Sequence, residues 1–209
     1  MQAPVARTSF SVEPAASGPV ETIAGGCRPW RFRPHFHSGD EVVRIHAGRA
    51  RLRLPAALVD VAAGDTVVVP AGVVHRFEPV DGSGWAFTSR FVPPAVREAS
   101  PDHPLGARAK ALLAERGTLH TDVESLARSC AVSAGHLCRA FRRMTGTGLH
   151  NFHVLLALHK AKALLRDQSP IAQAALDAGF YDQAHLNREF VRTFGMTPAA
   201  FLRGWAVAA

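Results

Sequence analysis

The chain has 209 residues, of which 47% are hydrophobic, which excludes a wholly disordered protein and leaves room for two modest domains. No apolar run is long enough to span a bilayer and the N-terminus lacks a secretory pattern, so we expect a cytoplasmic protein with no membrane partner. The net charge of +7 is uneven, because residues 104–209 hold 13 Lys and Arg against 7 Asp and Glu, whereas residues 1–103 hold 11 against 10. A basic C-terminal half is what neutralising nucleic-acid phosphates requires.

Residues 21–92 have the pattern of an antiparallel β-barrel or sandwich. Short apolar runs predict strands at 42–45, 50–54, 66–69 and 85–92, with Gly- and Asp-rich turns between them. We treat residues 1–20 as a candidate loose segment at the start of this N-terminal domain, 1–92. Repeated prolines then mark a linker at 93–103, and the hydrophobic period changes there from two to about 3.6.

The C-terminal domain, 104–209, is predicted to be all helical, which makes the fold class α+β. A helix is expected at 105–116, a central helix of 18 residues at 149–166, and a last helix at 198–207 that closes the core through Phe201 and Trp205. The central helix would be about 27 Å long. That length suits two recognition helices held about 34 Å, or one DNA turn, apart.

The first of two helix-turn-helix signatures runs from Leu126 to Phe141. A short helix turns at 131–132 and restarts at Ser133, whose hydroxyl is of the type that caps helix N-termini. Leu137 and Phe141 then face inward at helical spacing, and arginines remain outside.

The second signature runs from Ile171 to Phe190. Ile171, Ala175 and Leu176 are predicted to pack one helix, Gly179 allows the sharp turn, and Asp182 caps the next helix. Two such signatures predict a protein that reads DNA.

The helical half resembles the AraC family of transcriptional regulators over about 104–204. In the second signature the matching residues are Ile171-Ala172, Ala175, Gly179-Phe180, Asp182-Gln183, Arg188, Phe190, Phe194-Gly195, Thr197-Pro198 and Phe201. In the first they are Leu126-Ala127, Ser133, Leu137, Arg139, Phe141, Gly146 and Phe152. The resemblance implies a double helix-turn-helix domain in which outward residues near the start of each recognition helix contact base edges. These residues are Gly135, Cys138, Arg139, Gln183, Ala184, Asn187 and Arg188.

Side-chain chemistry narrows that set. Arginine binds guanine in bidentate fashion, and glutamine or asparagine binds adenine, so we expect base readout by Arg139, Gln183, Asn187 and Arg188. Phosphate contacts are expected from Arg142, Arg143 and Arg192. The alternative for Arg139 and Arg188 is that they brace neighbouring helices.

The N-terminal half carries His35, His37, Glu41 and Gly48 as H-x-H-x3-E-x6-G, and Gly64, Pro70, Gly72 and His75 as G-x5-P-x-G-x2-H. Both spacings resemble the two motifs of the cupin barrel, although Pro29 and Pro79 replace the usual glycine and asparagine. Three imidazoles and one carboxylate would suit a divalent ion such as Zn, Ni, Fe or Mn. The alternative is that these histidines hydrogen-bond an organic effector or fill the barrel mouth.

The sequence therefore predicts a DNA-binding transcriptional regulator, not an enzyme, whose cupin senses a small-molecule or metal effector. One alternative is a metal-dependent cupin enzyme fused to a DNA-binding domain, and another is a DNA-binding module whose barrel serves only for oligomerisation or contact with a partner. The expected partners are double-stranded DNA, the effector, RNA polymerase if the protein is an activator, and a second copy in a homodimer. Members of this family commonly have extra dimerisation helices between the barrel and the DNA-binding domain. Here only about a dozen residues separate the prolines at 93–94 from the predicted helix at 105, so we expect those helices to be absent.

Overall fold

The computed structural model describes residues 8–96 and 103–206, and these contain seven strands followed by seven helices. The strands are β1 (Ser9–Glu13), β2 (Val20–Arg28), β3 (Asp40–Arg53), β4 (Leu58–Ala62), β5 (Thr66–Val69), β6 (Arg76–Pro79) and β7 (Trp85–Val92). The helices are α1 (Pro104–Ala114), α2 (Val123–Ser129), α3 (Ala134–Thr145), α4 (Leu149–Arg166), α5 (Ile171–Asp177), α6 (Gln183–Phe194) and α7 (Pro198–Ala206). The predicted fold class, α+β with an antiparallel N-terminal half, is confirmed.

The long strand β3 organises the sheet, whose order is β1-β2-β7-β3-β4 with β5 and β6 also paired to β3, all antiparallel. The sequence predicted two strands, 42–45 and 50–54, where the structure has one. The reason is a register shift between Ile45 and Ala47, followed by Gly48 at φ 72°, which together form a bulge instead of a turn. A side chain at Gly48 would collide with the backbone of Gly84.

Alternation along the strands builds the apolar core of the sheet. On β3, Val43 and Ile45 are buried, and the residue that follows each of them, Arg44 and His46, is exposed. Strand β7 lies at its predicted bounds and turns alternate residues, beginning with Trp85, into the same interior. Period-two patterning therefore fixes which side chains of β7 face inward.

The N-terminal segment is more ordered than expected. Ser9–Glu13 forms β1 and pairs with β2, with Val12 opposite Glu21, so the prediction of a loose segment is wrong for these residues. The pairing depends on β2, a strand that the sequence reading did not include. The remaining part of that prediction, residues 1–7, lies outside the described residues.

The helical elements follow their sequence patterns closely. Helix α4 has the predicted bounds, and α1 and α7 lie within two residues of theirs. Helix α5 differs in its packing, because Ala174 and Ala175 are buried whereas Leu176 is 56% exposed. A helix of seven residues buries only a narrow stripe, and here small residues form it.

Contacts divide the described residues into two compact units. We call residues 8–53, 57–95 and 190–206 the sheet unit, and residues 54–56, 96 and 103–189 the helical unit. In the sheet unit, Phe201 of α7 lies against Phe10 and Phe190, at ring-centroid distances of 5.2 and 5.7 Å. Helix α6 therefore begins in one unit and ends in the other.

The predicted linker at 93–103 includes residues 97–102, which lie outside the described residues, so the domain boundary stays a prediction. In residues 8–96 and 103–206 there is no helix with the length and apolar composition needed to cross a membrane.

Candidate metal centre and recognition helices

The first helix-turn-helix is built by local capping. Asp122 accepts a hydrogen bond from the Ser125 backbone N–H at 3.0 Å to start α2, and Ser133 accepts one from His136 at 3.3 Å to start α3. Between the helices the chain turns at Ala131, which has a left-handed φ of 55°. Such caps satisfy helix N–H groups that would otherwise lack partners, so they fix where the recognition helix begins.

Helix α3 separates an apolar side from a basic side. Leu137 and Phe141 are fully buried, whereas Arg139, Arg142 and Arg143 are exposed. The predicted DNA-contacting residues of this helix are therefore available to a ligand.

The second helix-turn-helix uses a glycine turn. Gly179 has φ 94°, and a side chain there would come within 3.0 Å of the Gly117 carbonyl. Asp182 then accepts a hydrogen bond from the His185 N–H at 2.6 Å, as the sequence predicted for a helix cap. Leu186 is fully buried on the inner side of α6. The predicted contact residues Gln183, Asn187, Arg188 and Arg192 are all exposed.

Four buried side chains of the sheet unit meet at one point. His35 and His75 face each other across a two-way backbone bridge, with N–H to carbonyl distances of 2.9 and 2.8 Å. His37 lies two residues further on, and Glu41 lies near the start of β3. One ligand atom from each of the four lies within 4.8 Å of the others, so the structure brings the predicted set together.

Backbone carbonyls set the tautomers of two of these imidazoles. Nδ1 of His35 lies 2.6 Å from the Arg33 carbonyl, and Nδ1 of His75 lies 2.9 Å from the Val73 carbonyl. A carbonyl oxygen only accepts hydrogen bonds, so each Nδ1 carries a proton and donates it. This is the arrangement that orients metal-binding histidines and leaves Nε2 as the ligand atom.

The contact between Glu41 and His75 fits a shared cation. Oε2 of Glu41 lies 2.7 Å from Nε2 of His75 and 3.6 Å from Nε2 of His37. Within the described part of the chain, Oε2 of Glu41 and Nε2 of His75 are nevertheless buried atoms without a hydrogen bond of good geometry. An unsatisfied buried polar atom of this kind has a water molecule or an ion among its recognised explanations.

Electrostatics at the pair favour the charged forms. Burial alone would raise the pKa of Glu41, but the positive charge of His75 and its close contact outweigh burial and hold that pKa below its usual value. Burial alone would lower the pKa of His75, and the Glu41 carboxylate raises it instead. Without a metal, a proton therefore supplies the positive charge that the carboxylate needs.

The cluster opens on a small cavity enclosed by aromatic rings. Its volume is about 20 Å³, which is room for about one water-sized molecule. The rings that line it are Phe32, Phe77, Trp85, Phe87, Phe91 and Phe194, and Ile23, Ser89 and Thr193 also line it. This space would admit one small molecule beside the four side chains.

Comparison with known proteins identifies both halves. The sequence model of a helix-turn-helix domain matches residues 126–204, and that of a cupin domain matches residues 20–83. The chain thus contains a helix-turn-helix domain of the AraC type and a cupin domain. The HTH-type transcriptional regulator GlxA of Rhizobium meliloti (strain 1021) is 34% identical over 119 residues, which are 53% of this chain and 36% of GlxA. The chain thus spans little more than a third of that relative.

Solved structures of ToxT from Vibrio cholerae strain SCE256 share the fold of this chain. An apo form matches with a TM-score of 0.58 and 10% identity, covering 92% of this chain and 99% of the ToxT chain. A form bound to an unsaturated fatty acid matches with a TM-score of 0.55 and 10% identity, covering 96% and 97%. At this identity the likeness establishes the fold alone.

The helix-turn-helix match covers the predicted contact residues of both recognition helices, and the cupin match covers all four residues of the cluster. Their roles remain predictions. The aromatic wall was not predicted from the sequence, although the alternation from Trp85 to Phe91 indicates a row of inward-facing side chains. No sequence signal placed Phe194 at the same cavity.

Proposed function

We propose that this protein is a sequence-specific transcriptional regulator that binds double-stranded DNA in the cytoplasm and responds to a divalent transition metal held in its cupin. The observation that carries the DNA-binding part is the pair of capped recognition helices, each with a fully buried inner leucine and an exposed outer face of arginine or amide side chains. That combination supplies both the rigid helix and the donors that base edges and phosphates require.

Each exposed side chain has an assigned role in this proposal. Arg139 and Arg188 bind guanine, and Gln183 and Asn187 bind adenine, since these pairings match donor and acceptor geometry in the major groove. Three further arginines bind phosphates: Arg142, Arg143 and Arg192.

Selection of binding sites from random duplexes, followed by fluorescence anisotropy on the selected site, tests the DNA-binding proposal. We expect Arg188→Ala to weaken binding by about 5- to 150-fold, equivalent to about 1–3 kcal/mol, and to relax preference at one base pair. The matched control is Arg90→Ala, which removes an exposed arginine from β7. Equal effects of the two variants, or no selected sequence, would contradict the proposal.

The residues present fit a metal. His35, His37 and His75 would supply nitrogen and Glu41 oxygen, a donor set that suits Zn, Ni, Fe or Mn. The buried Nε2 and Oε2 atoms and the carbonyl-fixed Nδ1 protons support this assignment. When bound, the ion would replace a proton as the positive charge that holds the three imidazoles and the carboxylate together.

Elemental analysis of protein purified without an affinity tag or chelator tests the metal. We expect about one equivalent of metal in the wild type and none in the double variant His35→Ala, His75→Ala. The control His46→Ala removes an exposed histidine of β3 outside the cluster and should leave the metal content unchanged. If the wild type stays metal-free after incubation with these ions, the histidines instead serve an organic effector or the barrel core.

A second candidate function is metal-dependent catalysis, which the cavity beside the cluster favours because it leaves a ligand position open to a small molecule. Loss of oxygen from solution that depends on the metal and on His75 would support it. A homodimer, and contact with RNA polymerase if the protein is an activator, are further parts of the proposal.

A further inference from the structure

Phe194 is both the last residue of the second recognition helix and a wall of the cavity beside the four-residue cluster. We propose that metal occupancy changes DNA affinity through this last turn of α6, with Phe194 as the transmitting residue. The inference rests on the proposed function and adds the route by which the two ligands affect each other.

The ring of Phe194 touches two of the cluster imidazoles. Its centroid lies 6.4 Å from that of His35, edge to face, and 6.4 Å from that of His37, tilted by 42°. Phe194 is buried, and the neighbouring Thr193 is buried and lines the same cavity. Drawing four side chains onto one ion therefore displaces rings that are already in contact with α6, and close packing transmits such displacements.

A second link runs through the backbone of Arg33. Its carbonyl oxygen accepts a hydrogen bond from Nδ1 of His35, with 2.6 Å between the two atoms. Its backbone N–H donates to the carbonyl of Arg192 on α6 at an N-to-O distance of 3.4 Å. One residue thus joins a cluster histidine to the recognition helix by two hydrogen bonds.

The helix end is also fixed to the start of the described chain. The N–H of Thr8 donates to the Gly195 carbonyl at 3.2 Å. Gly195 has φ 71°, and a side chain there would lie within 3.1 Å of Thr8 and Phe32. The turn after α6 is therefore packed closely against Thr8 and Phe32.

The distance to the DNA-contacting end is short. Asn187 and Phe194 are seven residues apart on one continuous helix, which is about 10.5 Å along its axis. A displacement or stiffening of the last turn reaches the exposed side chains of the same helix without any intervening loop. Thermodynamic linkage then requires DNA to change metal affinity by the same factor as metal changes DNA affinity, typically about 5- to 150-fold.

The decisive experiment compares Phe194→Leu with Phe91→Leu. Phe91 also lines the cavity and contacts His37, at a centroid distance of 4.3 Å, but it lies on β7. DNA dissociation constants are measured on the selected duplex with chelator and with saturating Zn²⁺, Ni²⁺, Fe²⁺ or Mn²⁺, whichever ion the elemental analysis finds.

We expect the metal to change the DNA dissociation constant of the wild type and of Phe91→Leu by at least about fivefold. In Phe194→Leu we expect the ratio of the DNA dissociation constants measured with and without metal to fall to near one. Binding of metal-free Phe194→Leu to DNA should persist. An unchanged ratio in Phe194→Leu, or equal losses in both variants, would overturn the inference. A ratio of one in a wild-type protein that binds both metal and DNA would also overturn the inference. In that case the DNA-binding and metal-binding proposals would still stand. Failure to bind metal or DNA at all would instead remove the proposed function.

Hydrogen exchange on the wild type gives a readout that needs no variant. We expect metal to slow amide exchange at residues 190–194 of α6, and equal exchange with and without metal would contradict the proposed route.

Discussion

The salt dependence of DNA binding tests the phosphate contacts quantitatively. Arg142, Arg143 and Arg192 are exposed on the two recognition helices, so the triple variant Arg142→Gln, Arg143→Gln, Arg192→Gln removes three proposed counterion-releasing contacts. Each phosphate contact adds about 0.9 to the slope of log affinity against log salt, so the three add about 2.7. Between about 50 and about 200 mM salt these contacts account for about 40-fold of the affinity loss.

The assay is fluorescence anisotropy of a labelled duplex at several salt concentrations. It needs no known operator, because the contribution of phosphate contacts to affinity does not depend on DNA sequence. The matched control replaces Arg31, Arg44 and Arg90, which are exposed in the sheet unit, by glutamine and changes the net charge equally. We expect the control to keep nearly the whole wild-type slope. If the control lowers the slope as much as the helix variant does, general charge and not these contacts governs binding, and the assignment is wrong.

Three further predictions concern stability and the turns. Ser133→Ala removes the cap of α3 and should lower the free energy of unfolding by about 1 kcal/mol in urea titrations, whereas Ser133→Asp should not, because aspartate also caps. Burial, helped by the positive charges of Arg116 and His150, lowers the pKa of His153 below 6.5, so the unfolded chain takes up this proton first as the pH falls. As the pH falls below about 6.5, the urea midpoint of the wild type should therefore decrease more than that of His153→Gln, and an equal decrease in the two would contradict the assignment. Gly195→Ala should lower the melting temperature measured by circular dichroism, because the site has a left-handed φ and little space for a methyl group, and an unchanged melting temperature would show that the turn after α6 relaxes easily.

The sequence predicts the helices better than the strands, and the difference is physical. Helix α4 carries its apolar stripe and its ends in local sequence, so its bounds were predicted as observed. Strand β4, Leu58–Ala62, has mostly exposed residues, so its own sequence carries little apolar pattern. Its backbone is held in a strand by antiparallel pairing with β3. Strand β1 likewise depends on β2. Strand pairing of this kind joins segments that are separate in sequence. Each segment alone therefore carries only a weak hydrophobic pattern from which a strand could be predicted.

The candidate site shows the same contrast. The spacing of His35, His37, Glu41 and His75 predicted which side chains would meet, and the structure brings all four together. The size of the neighbouring cavity depends instead on rings from separate strands and on Phe194 of α6, so spacing within one motif carries no information about it. The small volume beside the cluster could therefore be read only from the structure.

The membership of residues 190–206 in the sheet unit limits how this protein can be taken apart. A fragment cut in the proline-rich region near residue 100 would keep every strand but lose Phe194, Phe201 and the rest of the segment that covers its aromatic rings. The separated halves would each be incomplete, the first with an uncovered apolar surface and the second with an unsupported end to its recognition helix. Transferring the complete sheet unit to another protein would then require a junction inside α6, near residue 190.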